Sequence, residues 1–206
     1  MANVIEILKE RGLFDNATSP ALMKQVESPT PVYAGFDPTS SSLQVGNFVT
    51  IMGLAHFQRA GHPVIALAGG ATGMIGDPSG KSSERNLLSH EDVERNLVGV
   101  KENLSRFLDF DSKVAPAKIV NNNDWMGKFS YIEFLRDVGK HFRMGTMLGK
   151  ESVRARMESE AGMSYCKFSY QLIQAYDFLH LWDKEGCSNN YYQQNEGKNE
   201  RFLHST

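Results

Sequence analysis

The sequence predicts an α/β fold built on an open parallel sheet, and three features carry that prediction. Short apolar runs at 31–36 (PVYAGF) and 63–70 (PVIALAGG) have the composition of strands that are buried on both faces. Residues 46–60, between the two runs, follow a helical pattern. A strand, a helix and a strand within about 40 residues form a βαβ unit, which favours a parallel sheet with right-handed crossovers.

The other elements follow in chain order. An amphipathic helix contains Val4, Ile5 and Leu8 and ends at Gly12. The glycine-rich stretch 69–85 is predicted as a loop, and Ser89 with Asp92 forms a capping-box variant that opens the next helix. The remaining segments are a short helix, a third strand and three helical stretches: ALMKQV (21–26), AKIVNNND (117–124), YIEFLRDVGKHF (131–142), GKESVRARMESE (149–160) and FSYQLIQAYDFLHLWDK (168–184).

Composition excludes several classes of protein. Of the 206 residues 41% are hydrophobic and 22% charged, and the 12 Phe, 7 Tyr and 2 Trp supply a core, so the chain is not intrinsically disordered as a whole. No apolar run approaches the roughly 18 residues of a membrane span. A net charge of −2 excludes a uniformly basic nucleic-acid coat. Two cysteines without a CxxC spacing, and an N-terminus without a targeting pattern, lead us to expect a reducing, cytoplasmic location.

The segment 188–206 breaks the α/β pattern. It contains four Asn and two Gln and has no periodicity, although the chain calls for a strand at this point. We therefore expect this tail to be disordered and not to be the natural continuation of what precedes it.

Two loops have the composition of phosphate sites. In GFDPTSSSLQVGNF (35–48) a strand ends, a polar turn follows and a glycine begins a helix, whose N–H groups and dipole suit a phosphate. In 69–85, Lys81 and Arg85 offer positive charge, but the spacing of Gly76 and Gly80 is one residue too short for a Walker loop. The alternatives are an ordinary turn in the first case and a solvated surface loop in the second.

Two further groups of side chains share a helix face. Tyr170, Gln174 and Asp177 lie at offsets of four and three, which fits either a polar ligand or a structural hydrogen-bond network. A basic series fits either RNA phosphates or a solvated helix face: Lys140, Arg143, Lys150, Arg154 and Arg156. The six histidines show no metal-ligand spacing.

Five strings of the sequence carry a specific resemblance: YAGFDPTSSSLQVGNF, GHPVIALAGGATGMIGDPSGKSSER, NNNDW, FLRDVGKHF and FSYQLIQAYDF. Together they resemble the bacterial-type tyrosyl-tRNA synthetases of class I, from about residue 2 to Cys187. The resemblance implies a Rossmann-type catalytic domain over 1–187 that activates L-tyrosine with ATP and Mg²⁺ and transfers it to tRNA(Tyr), without a prosthetic group.

The resemblance also implies roles for individual residues. Tyr33 and Asp177 match the pair that holds the phenol hydroxyl, Asn122 matches an asparagine near the substrate, and the surroundings of the α-ammonium group match Tyr170, Gln174 and Asp77. On the nucleotide side, Gln44, Gly46 and Asn47 fall on the His-x-Gly-His signature at the start of a helix, and Lys81 and Arg85 match a mobile pair that closes on pyrophosphate. The other residues that match the nucleotide side are Gly35, Asp37, Thr39 and Thr50.

The resemblance implies a homodimer as well. Family members pair through a helical insertion that corresponds to about 125–160 here. Its large apolar residues suggest an exposed interface, the alternative being that they pack on their own sheet: Trp125, Phe129, Tyr131, Phe134, Leu135, Phe142 and Met147.

The chain departs from the family pattern in two places. Gln44 and Asn47 replace the two signature histidines; their amides still donate hydrogen bonds but carry no charge. After Cys187 the expected strand, the Gly-Gly-Ser-Asp-Gln-Trp stretch, the Lys-Met-Ser-Lys-Ser-like loop and the tRNA-binding domains do not follow. We therefore expect a fragment with one sheet edge unpaired. Its rival functions are an inactive dimerisation or ligand-binding module and a tryptophanyl relative, which the Tyr33 and Asp177 pair disfavours.

Overall fold

A computed structural model describes residues 3–76, 88–159, 162–194 and 200–205. The described residues form ten α-helices, one 3-10 turn (Gly139–His141) and six strands. The helices are α1 (Val4–Glu10), α2 (Leu22–Gln25), α3 (Val45–Arg59), α4 (Gly70–Ile75), α5 (His90–Leu104), α6 (Asn123–Met126), α7 (Tyr131–Asp137), α8 (Met144–Leu148), α9 (Glu151–Met157) and α10 (Tyr165–Glu185). The strands are β1 (Asn16–Ala17), β2 (Val32–Phe36), β3 (Val64–Ala68), β4 (Ala117–Asn121), β5 (Asn189–Gln194) and β6 (Glu200–Ser205).

One open sheet joins all six strands in the order β1-β6-β5-β2-β3-β4. β2, β3 and β4 are parallel neighbours, in a register that places Tyr33 beside Ile65 and Ile65 beside Lys118. β5 is parallel to the other side of β2, and β6 is antiparallel to β5. The predicted α/β fold with a parallel sheet is confirmed, and β2 lies in its middle.

The two faces of β2 pack against different helices. Val32, Ala34 and Phe36 face the larger core, to which α1 and α3 contribute. Tyr33 faces the opposite side, in a cluster that includes Trp125 and Leu181 of α10. This alternation is the period of a strand, and burying one such aliphatic or aromatic side chain stabilises the fold by about 1.5–3 kcal/mol.

Helix termini follow the sequence signals closely. The Ser89 hydroxyl accepts a 3.1 Å hydrogen bond from the Asp92 N–H, which confirms the cap that opens α5. Gly12 follows α1 with a φ of +63°, and Gly186 ends α10 with a φ of +62°. Other segments differ from expectation: 70–75 forms the short helix α4 within the predicted 69–85 loop, and the helix predicted over 131–142 ends at Asp137 and is followed by the 3-10 turn Gly139–His141.

The expectation of a disordered tail is wrong for 189–194 and 200–205, which form β5 and β6. Backbone pairing of β5 with β2 is independent of side-chain type, so polar residues did not prevent it. Tyr191 then anchors the strand: its ring is buried against Phe57, and its hydroxyl donates a 2.6 Å bond to the Leu13 carbonyl. The expected unpaired edge beside β2 is therefore filled.

Among the described residues, no helix combines the length and the apolar character that crossing a membrane requires.

Candidate active site

The open space above β2 at Gly35 is a candidate ligand cleft, because it lies near the carboxyl ends of the central strands, where ligands of open α/β sheets bind. Its floor is marked by Gly35, which is exposed although it lies in the middle of β2. A Cβ added at Gly35 would meet no atom within 4 Å. Helix α10 packs on the same face of β2, with Phe178 against Tyr33, and it also contacts α4. The sheet thus leaves room for a ligand directly above a central strand.

A buried polar pair lies beside this floor. Tyr33 is 3% exposed on β2, and Asp177 is 2% exposed on α10. Burial raises the pKa of Tyr33 well above its usual value, and the nearby Asp177 carboxylate and Cys187 thiol raise that pKa further. The Tyr33 hydroxyl is consequently neutral, and it lies within the electrostatic reach of Asp177.

Two hydrogen-bond donors orient the Asp177 carboxylate. The indole Nε1 of Trp125 donates to Oδ1 at 2.8 Å, and Nδ2 of Asn122 donates to Oδ2 at 3.0 Å. Burial raises the pKa of Asp177 to about 7; both donors oppose this rise, and the negative charge of Asp37 adds to it. A buried carboxylate with this pKa beside an open cleft is typical of a functional site.

The same network continues towards the end of β2. Asn122 is fully buried: its Oδ1 accepts from the Ala71 N–H at 2.7 Å and its Nδ2 also donates to Thr72 Oγ1 at 3.2 Å. Thr72 donates to Oδ1 of Asp37 at 2.8 Å, and the Tyr170 hydroxyl donates to Oδ2 of Asp37 at 3.1 Å. Asp37 and Asp177 are therefore linked through Thr72 and Asn122.

The network partly answers whether the helix face shared by Tyr170, Gln174 and Asp177 serves a ligand or a structural hydrogen-bond network. Tyr170 and Asp177 both belong to it, so their shared face does support a structural network, whereas Gln174 is exposed on that face. Thr72 and Trp125 were missed as site residues. Thr72 lies within the glycine-rich GGATG string and Trp125 directly follows NNND, but their partners are distant in sequence.

Glycines allow α4 to begin close to the network. A Cβ at Gly69 would lie 2.0 Å from Oδ1 of Asp37, and a Cβ at Gly70 would lie 2.2 Å from Oδ1 of Asn121. Real Cβ atoms do not approach oxygen this closely, so any larger residue here displaces the strand-end side chains.

The first turn of α3 carries the residues that the sequence predicts for a phosphate site. Gln44 is the N-cap residue, and its backbone N–H donates a 3.0 Å bond to Oδ1 of Asn47. This bond occupies the carbonyl oxygen of the Asn47 amide and leaves its NH₂ group for a ligand. Gly46 and Thr39 are exposed, and Thr50 is buried one turn further along α3. Asp77, Lys81 and Arg85 lie outside the described residues.

Two asparagines of β5 are buried beside β2. Asn189 pairs with Val32 and is 0% exposed; Asn190 pairs with Tyr33 and is 8% exposed. Within the described ranges, the side-chain oxygen of neither residue has a hydrogen-bond partner. Such an orphaned amide oxygen costs about 1–3 kcal/mol of stability.

In the helical segment after β4, the exposure of the large apolar side chains agrees only in part with the predicted interface. Trp125 and Met147 are buried within their own chain, so the expectation that they are exposed is wrong. Large apolar side chains nevertheless remain exposed on this segment and at the start of α10: Tyr131, Ile132, Met144, Leu148, Met157 and Tyr165. Two of them, Met144 and Tyr165, line a cleft of about 140 Å³ together with Leu135, Phe142 and Phe168. The basic residues Lys140, Arg143, Lys150 and Arg154 are exposed nearby in sequence.

Comparison with known proteins gives consistent results. Residues 24–185 match the family model described as tRNA synthetases class I (W and Y). The chain is 54% identical over 188 residues to the tyrosine–tRNA ligase of Protochlamydia amoebophila, covering 91% of this chain and 44% of that protein. It is 53% identical over 186 residues to the tyrosine–tRNA ligase of Opitutus terrae, covering 89% and 44%. The chain thus spans less than half the length of these curated relatives.

Solved structures are similar as well. A C-terminally truncated mitochondrial tyrosyl-tRNA synthetase of Aspergillus nidulans superposes with a TM-score of 0.81 at 32% identity, covering 92% of this chain and 56% of that chain. A tyrosyl-tRNA synthetase of Archaeoglobus fulgidus in complex with L-tyrosine superposes with a TM-score of 0.62 at 18% identity, covering 98% and 63%, which bears on the fold alone.

Proposed function

This chain belongs to the class I tRNA synthetases of the tryptophan and tyrosine (W and Y) family, and from that membership we propose that it binds L-tyrosine and ATP and forms tyrosyl-adenylate for transfer to tRNA(Tyr). The observation that carries the choice of tyrosine is the buried pair of Tyr33 and Asp177 beside the open floor at Gly35. A pocket that buries two hydroxyl-binding groups favours a ligand with a hydroxyl over one without.

The amino-acid side of the site recognises both ends of tyrosine. The substrate phenol donates to the Asp177 carboxylate, which Trp125 and Asn122 hold in place, and it contacts the Tyr33 hydroxyl. At the other end, the α-ammonium group is bound by Tyr170, Gln174 and Asp77. Tyr170 is already oriented by its bond to Asp37, and the exposed Gln174 amide is free to turn towards the ligand.

The nucleotide side binds ATP as its magnesium complex. Gly35, Asp37 and Thr39 border the nucleotide at the end of β2. The N–H groups of the first turn of α3, together with Gln44, Gly46, Asn47 and Thr50, surround the phosphates. Lys81 and Arg85 supply the positive charge that the amides at positions 44 and 47 lack. Mg²⁺ arrives with the ATP phosphates and neutralises part of their charge.

The reaction needs positioning more than covalent help. A carboxylate oxygen of tyrosine attacks the α-phosphorus of ATP; the bond from that phosphorus to the bridging oxygen breaks, and pyrophosphate leaves. The carboxylate is already ionised at pH 7, so the step needs no general base. Preorganised N–H donors and cations stabilise the charge that develops on the phosphates.

Assembly and location complete the proposal. We propose that residues 1–187 act as the catalytic portion, that the exposed apolar residues of the helical segment pair two chains into a homodimer, and that the protein works in the cytoplasm. The competing function is a ligand-binding or dimerisation module that does not catalyse adenylate formation.

Two assays on the purified chain separate these functions. Calorimetric titration measures tyrosine binding, and tyrosine-dependent exchange between ATP and pyrophosphate measures adenylate formation. Exchange that requires tyrosine, and that phenylalanine and tryptophan do not support, is the result expected for the enzyme. Tyrosine binding without exchange identifies the ligand-binding module. A chain that binds no tyrosine contradicts the proposed function.

A further inference from the structure

One polar residue interrupts the apolar face of α5. Val93, Val100 and Leu104 are buried at the spacing of a helix face, and Asn96, which lies on the same face, is only 7% exposed. An amide at such a position costs stability unless it is hydrogen-bonded. Asn96 therefore needs a hydrogen-bond partner, and the identity of that partner indicates which part of the fold α5 supports.

The partner of Asn96 is the loop between β2 and α3. Nδ2 of Asn96 donates a 2.9 Å hydrogen bond to the carbonyl oxygen of Pro38, in a buried setting. Pro38 directly follows Asp37 and lies six residues before Gln44, the N-cap of α3. The bond therefore fixes the start of the loop that leads into the candidate phosphate site.

A second contact fixes the same loop three residues later. At Gly99, a Cβ would lie 1.8 Å from the carbonyl oxygen of Ser41 and 3.4 Å from its Cα. Because that atom belongs to the backbone, no side-chain rotation can relieve the contact, and any residue larger than glycine must push the loop away from α5. Asn96 and Gly99 are three positions apart and so lie side by side on the helix.

We propose that Asn96 and Gly99 are positioning residues for adenylate formation: they hold the 37–44 loop so that the first turn of α3 faces the nucleotide phosphates. Neither residue touches the ligand in this proposal, which rests on the proposed function. The phenol-binding carboxylate of Asp177 is oriented by residues outside this loop, Trp125 and Asn122. Displacing the loop therefore weakens the nucleotide half of the site more than the amino-acid half.

The test compares two ligands on four proteins. Affinities for L-tyrosine and for a non-hydrolysable analogue of tyrosyl-adenylate are measured by calorimetry on the wild type, Asn96→Leu, Gly99→Ala and Val100→Ala. Asn96→Leu removes the amide donor at similar volume. Gly99→Ala adds one methyl group against the Ser41 carbonyl while raising helix propensity by about 1 kcal/mol, so α5 itself is not weakened. Val100→Ala is the matched control, since Val100 is buried on α5 and the deletion affects packing alone.

The expected result is a selective loss. Asn96→Leu and Gly99→Ala lower the affinity for the analogue by about tenfold or more, because a small misplacement of binding groups weakens binding strongly. Their affinity for tyrosine stays within about twofold of the wild-type value. Val100→Ala lowers the unfolding temperature and leaves the ratio of the two affinities unchanged. The inference is overturned if both loop variants bind both ligands as tightly as the wild type does. It is also overturned if the wild type binds the analogue no more tightly than it binds tyrosine. A wild type that binds neither ligand contradicts the proposed function instead.

Discussion

The indole of Trp125 donates its Nε1 hydrogen to Asp177 at 2.8 Å and stacks on the ring of His180, with ring centroids 4.1 Å apart. Asp177 and His180 are three residues apart on α10, so one indole contacts two neighbouring positions of the same helix face. This double contact fixes the indole, and the fixed indole fixes one oxygen of the Asp177 carboxylate. The phenol-binding end of the site is therefore preorganised before any ligand arrives.

Tyrosine affinity is expected to depend on the ionisation of Asp177. Its pKa of about 7 means that much of the free protein carries a neutral carboxyl at pH 6, whereas the substrate hydroxyl donates best to the carboxylate. We expect affinity to rise by about tenfold from pH 6 to pH 8. Calorimetry at several pH values measures this rise. Phenylalanine, which lacks the hydroxyl, is the control, and an equal rise for phenylalanine would contradict the assignment.

The same pKa has a consequence for stability. Because folding raises the pKa of Asp177 from about 4, the folded state holds this proton more tightly than the unfolded state does. This contribution to stability is fully present below about pH 4 and is lost as the pH rises towards 7. Ligand-free protein should thus lose some stability over the range in which its affinity for tyrosine grows.

Tyr33→Phe is expected to weaken tyrosine binding by about 1 kcal/mol, roughly fivefold, and to leave phenylalanine binding unchanged. The substitution keeps the packing against Phe178, whose ring lies 5.6 Å away, and removes only the hydroxyl. Tyr131→Phe is the control, since Tyr131 is 62% exposed on α7. Equal losses for both amino acids would show that the Tyr33 hydroxyl does not read the substrate phenol.

Gly35→Val is expected to abolish ligand binding without unfolding the protein. The Cβ of the new side chain meets no atom of the protein within 4 Å, the side chain occupies the floor of the cleft, and replacing a glycine in a strand gains about 0.5–1 kcal/mol of stability. Binding of the adenylate analogue should fall at least tenfold while the denaturation midpoint stays equal or rises. Gly69→Ala is the contrasting variant: its Cβ meets Asp37, so it should lower stability by about 1–3 kcal/mol. Full binding by Gly35→Val would locate the ligand elsewhere.

Asn189→Val is expected to stabilise the chain by about 1–2 kcal/mol. The Asn189 oxygen is buried beside Val32 and has no partner in the described part of the chain, and its Nδ2 makes only a 3.4 Å contact with Ser188. Valine removes the unsatisfied oxygen and suits a buried strand. Urea denaturation measures the difference. Asn189→Asp provides the comparison and should destabilise, because it buries a charge; a less stable valine variant would refute the prediction.

The homodimer is expected to depend on the exposed apolar residues of the helical segment. Ile132→Glu and Met144→Glu place charges at positions that are 69% and 58% exposed in the single chain, so they should fold normally and sediment as monomers. The wild type should sediment as a dimer at micromolar concentration. Val114→Glu, at an 83% exposed position outside the segment, should leave the dimer intact. A monomeric wild type would contradict the proposal.

The sequence predicted those parts of the fold whose signals are local. β2 and β3 are apolar runs, the cap at Ser89 is a four-residue pattern, and the spacing of Tyr170 and Asp177 alone indicated a shared face. β5 was missed because its burial comes from neighbouring strands and not from its own asparagines.

The parts of the site that could not be predicted rest on contacts between distant residues. Thr72 and Asp37 are 35 positions apart, and Tyr170 and Asp37 are 133 apart. No periodicity encodes which hydroxyl meets which carboxylate, because the backbone path decides it. The family resemblance indicated Asp37 and Asp177, on the two sides of this network, but it did not indicate Thr72, which links them.

The bond from Tyr191 to Leu13 spans 178 positions of the chain, and β1 pairs with β6. The contacts of segment 13–17 with β5 and β6 therefore cannot form until residues beyond 190 have been synthesised. At a synthesis rate of about 5–20 residues per second, this segment waits roughly ten to forty seconds on the ribosome. Segments so far apart also pay a large entropic cost of loop closure before they meet. Joining segment 13–17 to β5 and β6 is therefore a late event in folding, and until then Leu13 lacks its hydrogen bond from Tyr191.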